Sequence, residues 1–288
     1  MVNRRSGLFW PLGAIQEAID TAWDAPGTDL VYQFTRSRDD GAAKARLAVA
    51  QGVDTIIAIG GDGTVNAIGG CLVGTTTALA AIPVGSGNGF ARHFNIPLRP
   101  EDAPRALAPG VRTRIDVGRA DGHAFFVTCS LAWDAALVQT FDQSPVRGIL
   151  PYVFAAVYRL FDYRPQPMTA EIDGREERFS APLLFTVANL TQYGGGAVIA
   201  PTARADDGLL ELVVVEREHF PRLIGHLPNL FNGTIDSLPE VRHWRFRHLR
   251  VHRDRADPIQ IDGELLAAGP DVEIEVTPRA LDVIVPNA

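Results

Sequence analysis

The sequence is nearly empty of lysine: Lys44 stands alone among 27 basic residues. That excludes a Gly-x-x-x-x-Gly-Lys-Ser/Thr phosphate loop, whose ammonium has no candidate here. Cysteine is almost as scarce. Cys71 and Cys129 are the only two and have no ligand-like spacing, which suits a reduced, intracellular protein. No apolar run reaches the ~20 residues of a spanning helix, and the longest candidate, Ile149 to Val157, ends at Tyr158 and Arg159. Near the start, Leu8-Phe9-Trp10 is broken by Pro11, Gly13, Gln16 and Glu17, too early for an export signal. Membrane contact is therefore expected to be peripheral. A basic excess is also missing: the net charge of −7 argues against nucleic acid as a partner. The histidines show no metal-ligand spacing.

What remains is an ordinary globular balance, 46% hydrophobic and 21% charged over 288 residues, enough for two domains or one large one. The first ~110 residues alternate helix and strand. Helices are predicted at Ala14–Trp23, Ala42–Gln51 and Asn66–Val73, and strands at Leu30–Thr35, Thr55–Ile59 and Ala78–Ile82. The continuous apolar run at Thr55–Ile59 predicts a strand buried on both faces. From Ile115 onward short apolar or alternating runs take over, at Ala124–Ser130, Met168–Ile172, Leu183–Ala188, Leu209–Val215, Leu249–His252, Pro258–Ile261, Val272–Val276 and Leu281–Val285. Asp173-Gly174, Asp207-Gly208 and Asp262-Gly263 punctuate them as turns. This predicts a mostly antiparallel β domain, interrupted by one apolar helix within Val146–Phe161. That helix suits the lip of an apolar pocket or a membrane-facing helix or, more plainly, a helix buried between domains. The arginine-rich stretch Arg242–Arg253 suits an anionic headgroup or, more simply, a solvated β face paired with acids.

Two strands end in glycine-rich turns. Ile56-Ile57-Ala58-Ile59 runs into Gly60-Gly61-Asp62-Gly63-Thr64, and the next strand runs into Pro83-Val84-Gly85-Ser86-Gly87-Asn88-Gly89. Bare backbone at such turns approaches a ligand closely, and its N–H groups suit phosphate oxygens. Asp62 sits among these glycines. A carboxylate beside phosphates is repulsive unless it holds a metal or takes a proton, and phosphoryl transfer needs both jobs done. The plainer alternative is a solvated turn aspartate.

These turns, in this order and with Asn66 after the first and Phe90-Ala91-Arg92 after the second, resemble the diacylglycerol kinase catalytic domain superfamily. Sphingosine and ceramide kinases and, more distantly, NAD kinases belong to that group. The resemblance extends along nearly the whole chain. It takes in Asn3-Arg4-Arg5-Ser6-Gly7, Thr35, Ile115-Asp116-Val117-Gly118, Gly194-Gly195-Gly196, Asp207-Gly208-Leu209-Leu210-Glu211 and Asp262-Gly263-Glu264. It implies an NAD-kinase-like α/β nucleotide-binding domain over residues 1–114. An antiparallel β-sandwich lipid-substrate domain would follow over 115–288, its last residues allowed to return to the first domain.

The resemblance also implies a nucleotide crevice between the two domains. ATP would be bound by Ser6, Gly7, Thr35, Gly60, Gly61, Asp62, Gly63, Thr64, Asn66, Ser86, Gly87 and Asn88. Asp62, Asp116 and Glu264 would converge on the crevice with Mg²⁺, Glu264 serving as general base beside Asp262. A structural Mg²⁺ would be held by the Asp207 carboxylate and the backbone oxygens of Arg204 and Leu209. The function implied is transfer of the ATP γ-phosphoryl group to a lipid hydroxyl, such as that of a diacylglycerol, by a cytoplasmic enzyme peripherally associated with the membrane. A homodimer is one allowed form. Two alternatives stay open: an NAD kinase-like enzyme with a soluble acceptor, and a nucleotide-sensing regulator without turnover, which the departures at Ala67 and Gly89 allow.

Overall fold

The computed structural model describes residues 1–3, 12–133, 163–219, 222 and 224–287. The helix expected within 146–161 lies outside the described residues. The chain divides into two units, one of Met1–Ile115 with Arg279–Ala288, the other of Asp116–Pro278.

The first unit is α/β. Strands β1 (Val2–Asn3), β2 (Phe34–Thr35), β3 (Thr55–Gly60) and β4 (Ala78–Pro83) form a parallel sheet in the order β2-β1-β3-β4. The end of the chain's last strand adds beside β4, with Val283 opposite Leu79. Every residue of β4 is buried, as expected of a strand covered on both faces. Around the sheet lie α1 (Leu12–Ala22), α2 (Arg38–Ala50), α3 (Asp62–Gly69), α4 (Gly89–His93) and α5 (Ala103–Leu107). Helix α1 buries Ile15, Ala18 and Ile19, one stripe at i, i+3, i+4.

Several boundaries differ from the sequence expectation, and three of the differences bear on the site or the sheet. Helix α2 starts at Arg38 instead of Ala42 because the Ser37 side chain accepts the Asp40 N–H and Asp39 and Asp40 favour the first turn. The run from Leu30 shrinks to two residues, with Val31 76% exposed. Helix α3 already begins at Asp62, so the Asp-Gly-Thr of the first glycine turn is itself helical. The tail is fastened by charge: Asp282 accepts Arg112 Nε at 2.9 Å and Arg114 Nε at 2.8 Å.

The second unit is built of β5 (Val111–Ala120, its residues past Ile115), β6 (His123–Phe125), β7 (Thr128–Ser130), β8 (Met168–Ile172), β9 (Arg175–Phe179), β10 (Pro182–Ala188), β11 (Gln192–Gly194), β12 (Ala197–Val198), β13 (Leu210–Glu216), β14 (Arg242–Phe246), β15 (His248–Arg253), β16 (Ile259–Ile261), β17 (Glu264–Leu266) and the first part of β18 (Asp271–Val285). One sheet runs β14-β13-β10-β7-β16-β17, and the other contains β18-β15-β8-β9 with β5 and β6. Their inner faces share one core. Ala170, Ile172, Leu249, Val251, Val272 and Ile274 come from one sheet, and Phe185, Val187, Leu212, Val214, Phe246, Ile259 and Ile261 from the other. Each large aliphatic buried there contributes about 1.5–3 kcal/mol.

Strand β9 escaped the sequence reading because Arg175-Glu-Glu-Arg-Phe is mostly charged, and Arg242-His-Trp-Arg-Phe of β14 was read only as part of a solvated β face. Each nevertheless turns one phenylalanine, Phe179 or Phe246, into the core. The runs at Val272 and Leu281 merge into the single strand β18. The Asp121-Gly122, Asp173-Gly174 and Asp262-Gly263 pairs each have φ positive at both residues, the two-residue hairpin turn that Asp-Gly favours. A second apolar cluster, including Ile199, Val213, Val215 and Ile235, covers part of the outer face of the β13 sheet, near α6 (Leu227–Asn232). Among the described residues, no helix is long and apolar enough to cross a membrane.

Candidate active site

Strands β3 and β4 pair in register with Gly60 opposite Pro83, so both glycine turns leave the sheet side by side. They touch backbone to backbone. A Cβ on Gly85 would lie 2.6 Å from the Gly61 Cα, and one on Gly60 would lie 2.3 Å from the Thr64 Cβ; only glycine fits there. Asn88, left-handed at φ 53°, closes the second turn. Its Nδ2 donates to the Gly85 carbonyl at 2.8 Å and its Oδ1 accepts the Gly85 N–H at 3.1 Å.

Asp62 then reaches from the first turn to the second. Oδ2 accepts the Gly89 N–H at 3.0 Å and Oδ1 the Phe90 N–H at 3.1 Å. Burial pushes this carboxyl above the usual aspartate range, while the N–H groups of Phe90 and Gly89 pull it back. The carboxylate expected to face metal or proton is, in this geometry, the clamp that holds the two turns together.

Other members of the expected nucleotide set are placed as follows. Asn3 Nδ2 donates to Thr64 Oγ1 at 2.9 Å, so the Thr64 hydroxyl proton is directed elsewhere. Buried Asn66 accepts from the Arg38 guanidinium. Thr35 is buried and donates to the Val2 carbonyl at 3.3 Å. Ser86 is exposed, and the Gly87 carbonyl accepts Arg92 Nε at 3.1 Å. Among the described residues nothing accepts the backbone N–H of Gly63, Ser86 or Gly87. Ser6 and Gly7 lie outside the described residues. Arg38 was not singled out in the sequence. Its signal was a cation at the first position of a helix, an unfavourable place against the dipole unless the side chain serves a partner.

In the second unit, Asp116 and Asp262 join one buried network. The Asp116 carboxylate accepts the Gly208 N–H at 2.6 Å, and its own N–H donates to the Ala205 carbonyl. Asp262 accepts three backbone N–H groups, those of Phe126, Val127 and Thr128, at 2.8, 2.8 and 3.0 Å. Asn189 ties the two together: its Nδ2 donates to the carbonyls of Asp116 (3.0 Å) and Phe126 (2.9 Å). Nothing in the sequence marked Asn189, a polar residue closing an apolar strand and 1% exposed. Glu264 differs from these acids. It opens β17, opposite Ile261, and is exposed.

The expected structural Mg²⁺ is not supported by its proposed ligands. Of the set, only Asp207 supplies a side chain. Its Oδ1 accepts the Leu209 N–H at 3.0 Å, and its Oδ2 pairs with the Arg245 guanidinium. Arg245 Nε also lies 3.7 Å from Glu211 Oε1. A guanidinium already supplies the positive charge that a cation would bring to this carboxylate, so these residues do not fit the ion. Among the described residues, no group of three or more His, Cys, Asp or Glu could hold a metal either.

The arginine-rich stretch reads as the solvated face. Arg242 meets Glu177 at 2.9 Å, Arg250 meets Glu273 at 3.4 Å, and Arg253 is buried, donating to the Asp257 carbonyl at 2.8 Å. An open depression of about 660 Å³ lies over β8, β15 and β18 and is lined by Glu171, Arg250, His252, Asp271 and Glu273. None of the candidate residues lines it. Its charged lining is mostly acidic, with Arg250 Nε 3.4 Å from Glu273 and His252 Nδ1 2.7 Å from Asp271.

Comparison with known proteins agrees with this architecture. Residues 1–120 match the diacylglycerol kinase catalytic domain, and residues 128–285 match the YegS C-terminal NAD kinase beta sandwich-like domain. A protein of Mycobacterium tuberculosis named diacylglycerol kinase is 30% identical over 268 residues, covering 91% of this chain and 86% of that one. A crystal structure of a diacylglycerol kinase from Bacillus anthracis overlays with a TM-score of 0.75 at 20% identity, covering 99% of this chain and 94% of that one. An NAD kinase from Archaeoglobus fulgidus, solved in complex with ATP, shares the fold more loosely, with a TM-score of 0.51 at 13% identity over 94% and 90% of the two chains. The α/β first unit and the two-sheet second unit thus have relatives in the order seen here, and the chain belongs to the diacylglycerol kinase family of lipid kinases.

Proposed function

We propose that the chain transfers the γ-phosphoryl group of ATP to the hydroxyl of a lipid at a membrane surface, a diacylglycerol or a close relative. The observation that carries this is the pair of interlocked glycine turns. Their Gly63, Ser86 and Gly87 N–H groups have no acceptor among the described residues, and oriented amides of this kind suit phosphate oxygens. With no lysine in either turn, backbone amides and the Thr64 and Ser86 hydroxyls must supply the hold. Mg²⁺ arriving with ATP would offset the triphosphate charge. Asp62, already engaged by two N–H groups, supports that site by fixing both turns.

Glu264 acts as the base, being the exposed carboxylate of the Asp-Gly-Glu turn. It takes the proton of the acceptor hydroxyl as the new O–P bond forms and the bond from γ-phosphorus to the bridging oxygen breaks, releasing ADP. Asp262 and Asp116 are positioning residues. Asp262 holds the 126–128 backbone, Asp116 the Gly208 turn, and Asn189 joins them.

The test is transfer of label from γ-labelled ATP with Mg²⁺, offered a panel of diacylglycerols, sphingosine, ceramide and NAD, followed by organic extraction. Label in the organic phase is the expected result. Label on NAD would instead make the chain an NAD kinase-like enzyme, and ATP binding without transfer would make it a regulator. Full turnover in Glu264→Gln would remove Glu264 from the mechanism.

A further inference from the structure

We infer that Arg245 replaces the structural divalent cation in the second unit, so that this unit is stable without a metal. The inference starts from the Asp207-Gly208 turn. Gly208 sits at φ 72°, so the turn has a fixed bend, and two acids converge on it. Asp207 is mostly buried, its side chain 18% exposed, and Glu211 is almost wholly so at 5%. Two carboxylates this close need a cation.

The strand register supplies one. Glu211 of β13 lies directly opposite Arg245 of β14, which places the guanidinium over its cross-strand partner and within reach of Asp207. Nη2 bonds the Asp207 carboxylate and Nε faces Glu211. A planar guanidinium can serve two acids at once and is always charged. The Asp207 Oδ1 meanwhile accepts the Leu209 N–H, so both oxygens of this carboxylate already have donors, at a site where a hard ion wants six or more oxygen ligands.

The consequence reaches the polar network. The turn that Arg245 braces presents the Gly208 N–H to Asp116, and Asp116 is joined through Asn189 to the Phe126 backbone held by Asp262. Arg245 therefore acts as the fixed end of that chain of contacts, where an exchangeable ion would make the chain depend on metal supply.

The experiment uses the full chain without ATP or lipid, so it stands apart from any failure of the kinase assignment. Protein dialysed against EDTA is melted with and without millimolar MgCl₂ or CaCl₂, and its metal content is measured. The expected result is no bound divalent ion and a Tm that ignores both salts. Arg245→Gln exposes the Asp207 and Glu211 charges; it should lower Tm by about 2–4 °C and make Tm rise on adding divalent salt, and adding Asp207→Asn should abolish that rise. Arg245→Lys keeps the charge and should retain metal independence. A variant Arg245→Gln that folds only with Mg²⁺ present supports the same conclusion. One tightly held divalent ion per wild-type chain, with Tm lost in EDTA and regained with Mg²⁺, would overturn it. So would an Arg245→Gln chain as indifferent to divalent salt as the wild type.

Discussion

The turns at Asp62 and at Asp262 solve the same physical problem with opposite results. In each, a carboxylate placed next to a glycine is consumed by backbone N–H groups of a different segment, two at Asp62 and three at Asp262. At the first turn the effect is to press two glycine backbones together and leave amides open for an anion. At the second it is to pin the 126–128 segment while the neighbouring Glu264 stays exposed. In the proposed reaction one turn would offer donors for phosphate and the other an exposed carboxylate. The difference teaches that aspartate in a glycine turn is first a structural acceptor. The chemistry we propose falls to the groups beside it.

The sharpest separation of these two roles is kinetic. Glu264→Gln should lower kcat by about 10²–10⁴-fold, the usual worth of a general base, with ATP affinity and Tm unchanged. Asp262→Ala should do the reverse. It strands three backbone donors at about 1–3 kcal/mol each, so urea unfolding should report a loss of at least about 3 kcal/mol. If Asp262→Ala melted like the wild type, the bracing role would be wrong.

At the first turn, Gly85→Ala forces a Cβ against the Gly61 backbone and should cost about 1–3 kcal/mol through overpacking. The readout is a raised KM for ATP with the KM for lipid unaffected. The smallest effect concerns pH. Burial holds His93, in the short helix that Asp62 caps, down to about 4 from 6.5. Unfolded chains bind the proton first as pH falls through 6.5, so stability is full above that value and declines toward pH 4. At about 1.4 kcal/mol per pKa unit, discounted for its partial exposure, the loss is about 1–2 kcal/mol. His93→Gln should flatten that slope in denaturation curves taken between pH 7 and 4 (roughly the span of the two values).

Much of this is readable in the sequence alone. The apolar runs at Thr55 and Ala78 specified buried parallel strands, and Asp-Gly pairs specified hairpins, because local backbone preference and burial pointed the same way. The glycines of the two turns were legible as positions of close backbone approach, and contact between Gly61 and Gly85 demands them. What stayed hidden depended on partners far apart in sequence. Asp62 shows no sign of its bonds to Gly89 and Phe90, and Asn189 shows none of its place between Asp116 and Phe126. Arg245 meets Asp207 only because β13 and β14 pair in one register. Strand β9 was hidden by its charges, which the solvent face tolerates while Phe179 anchors the strand in the core.

The strand β18 carries a consequence for biosynthesis. Residues Arg279–Ala288 belong to the first unit, where Leu281 and Val283 are fully buried and Asp282 receives Arg112 and Arg114. A ribosome emits about 5–20 residues each second, so the glycine turns emerge well before the strand that completes their sheet. Throughout that interval the edge of β4 is an unpaired template, and a chain cut short in the second unit would release it in that state.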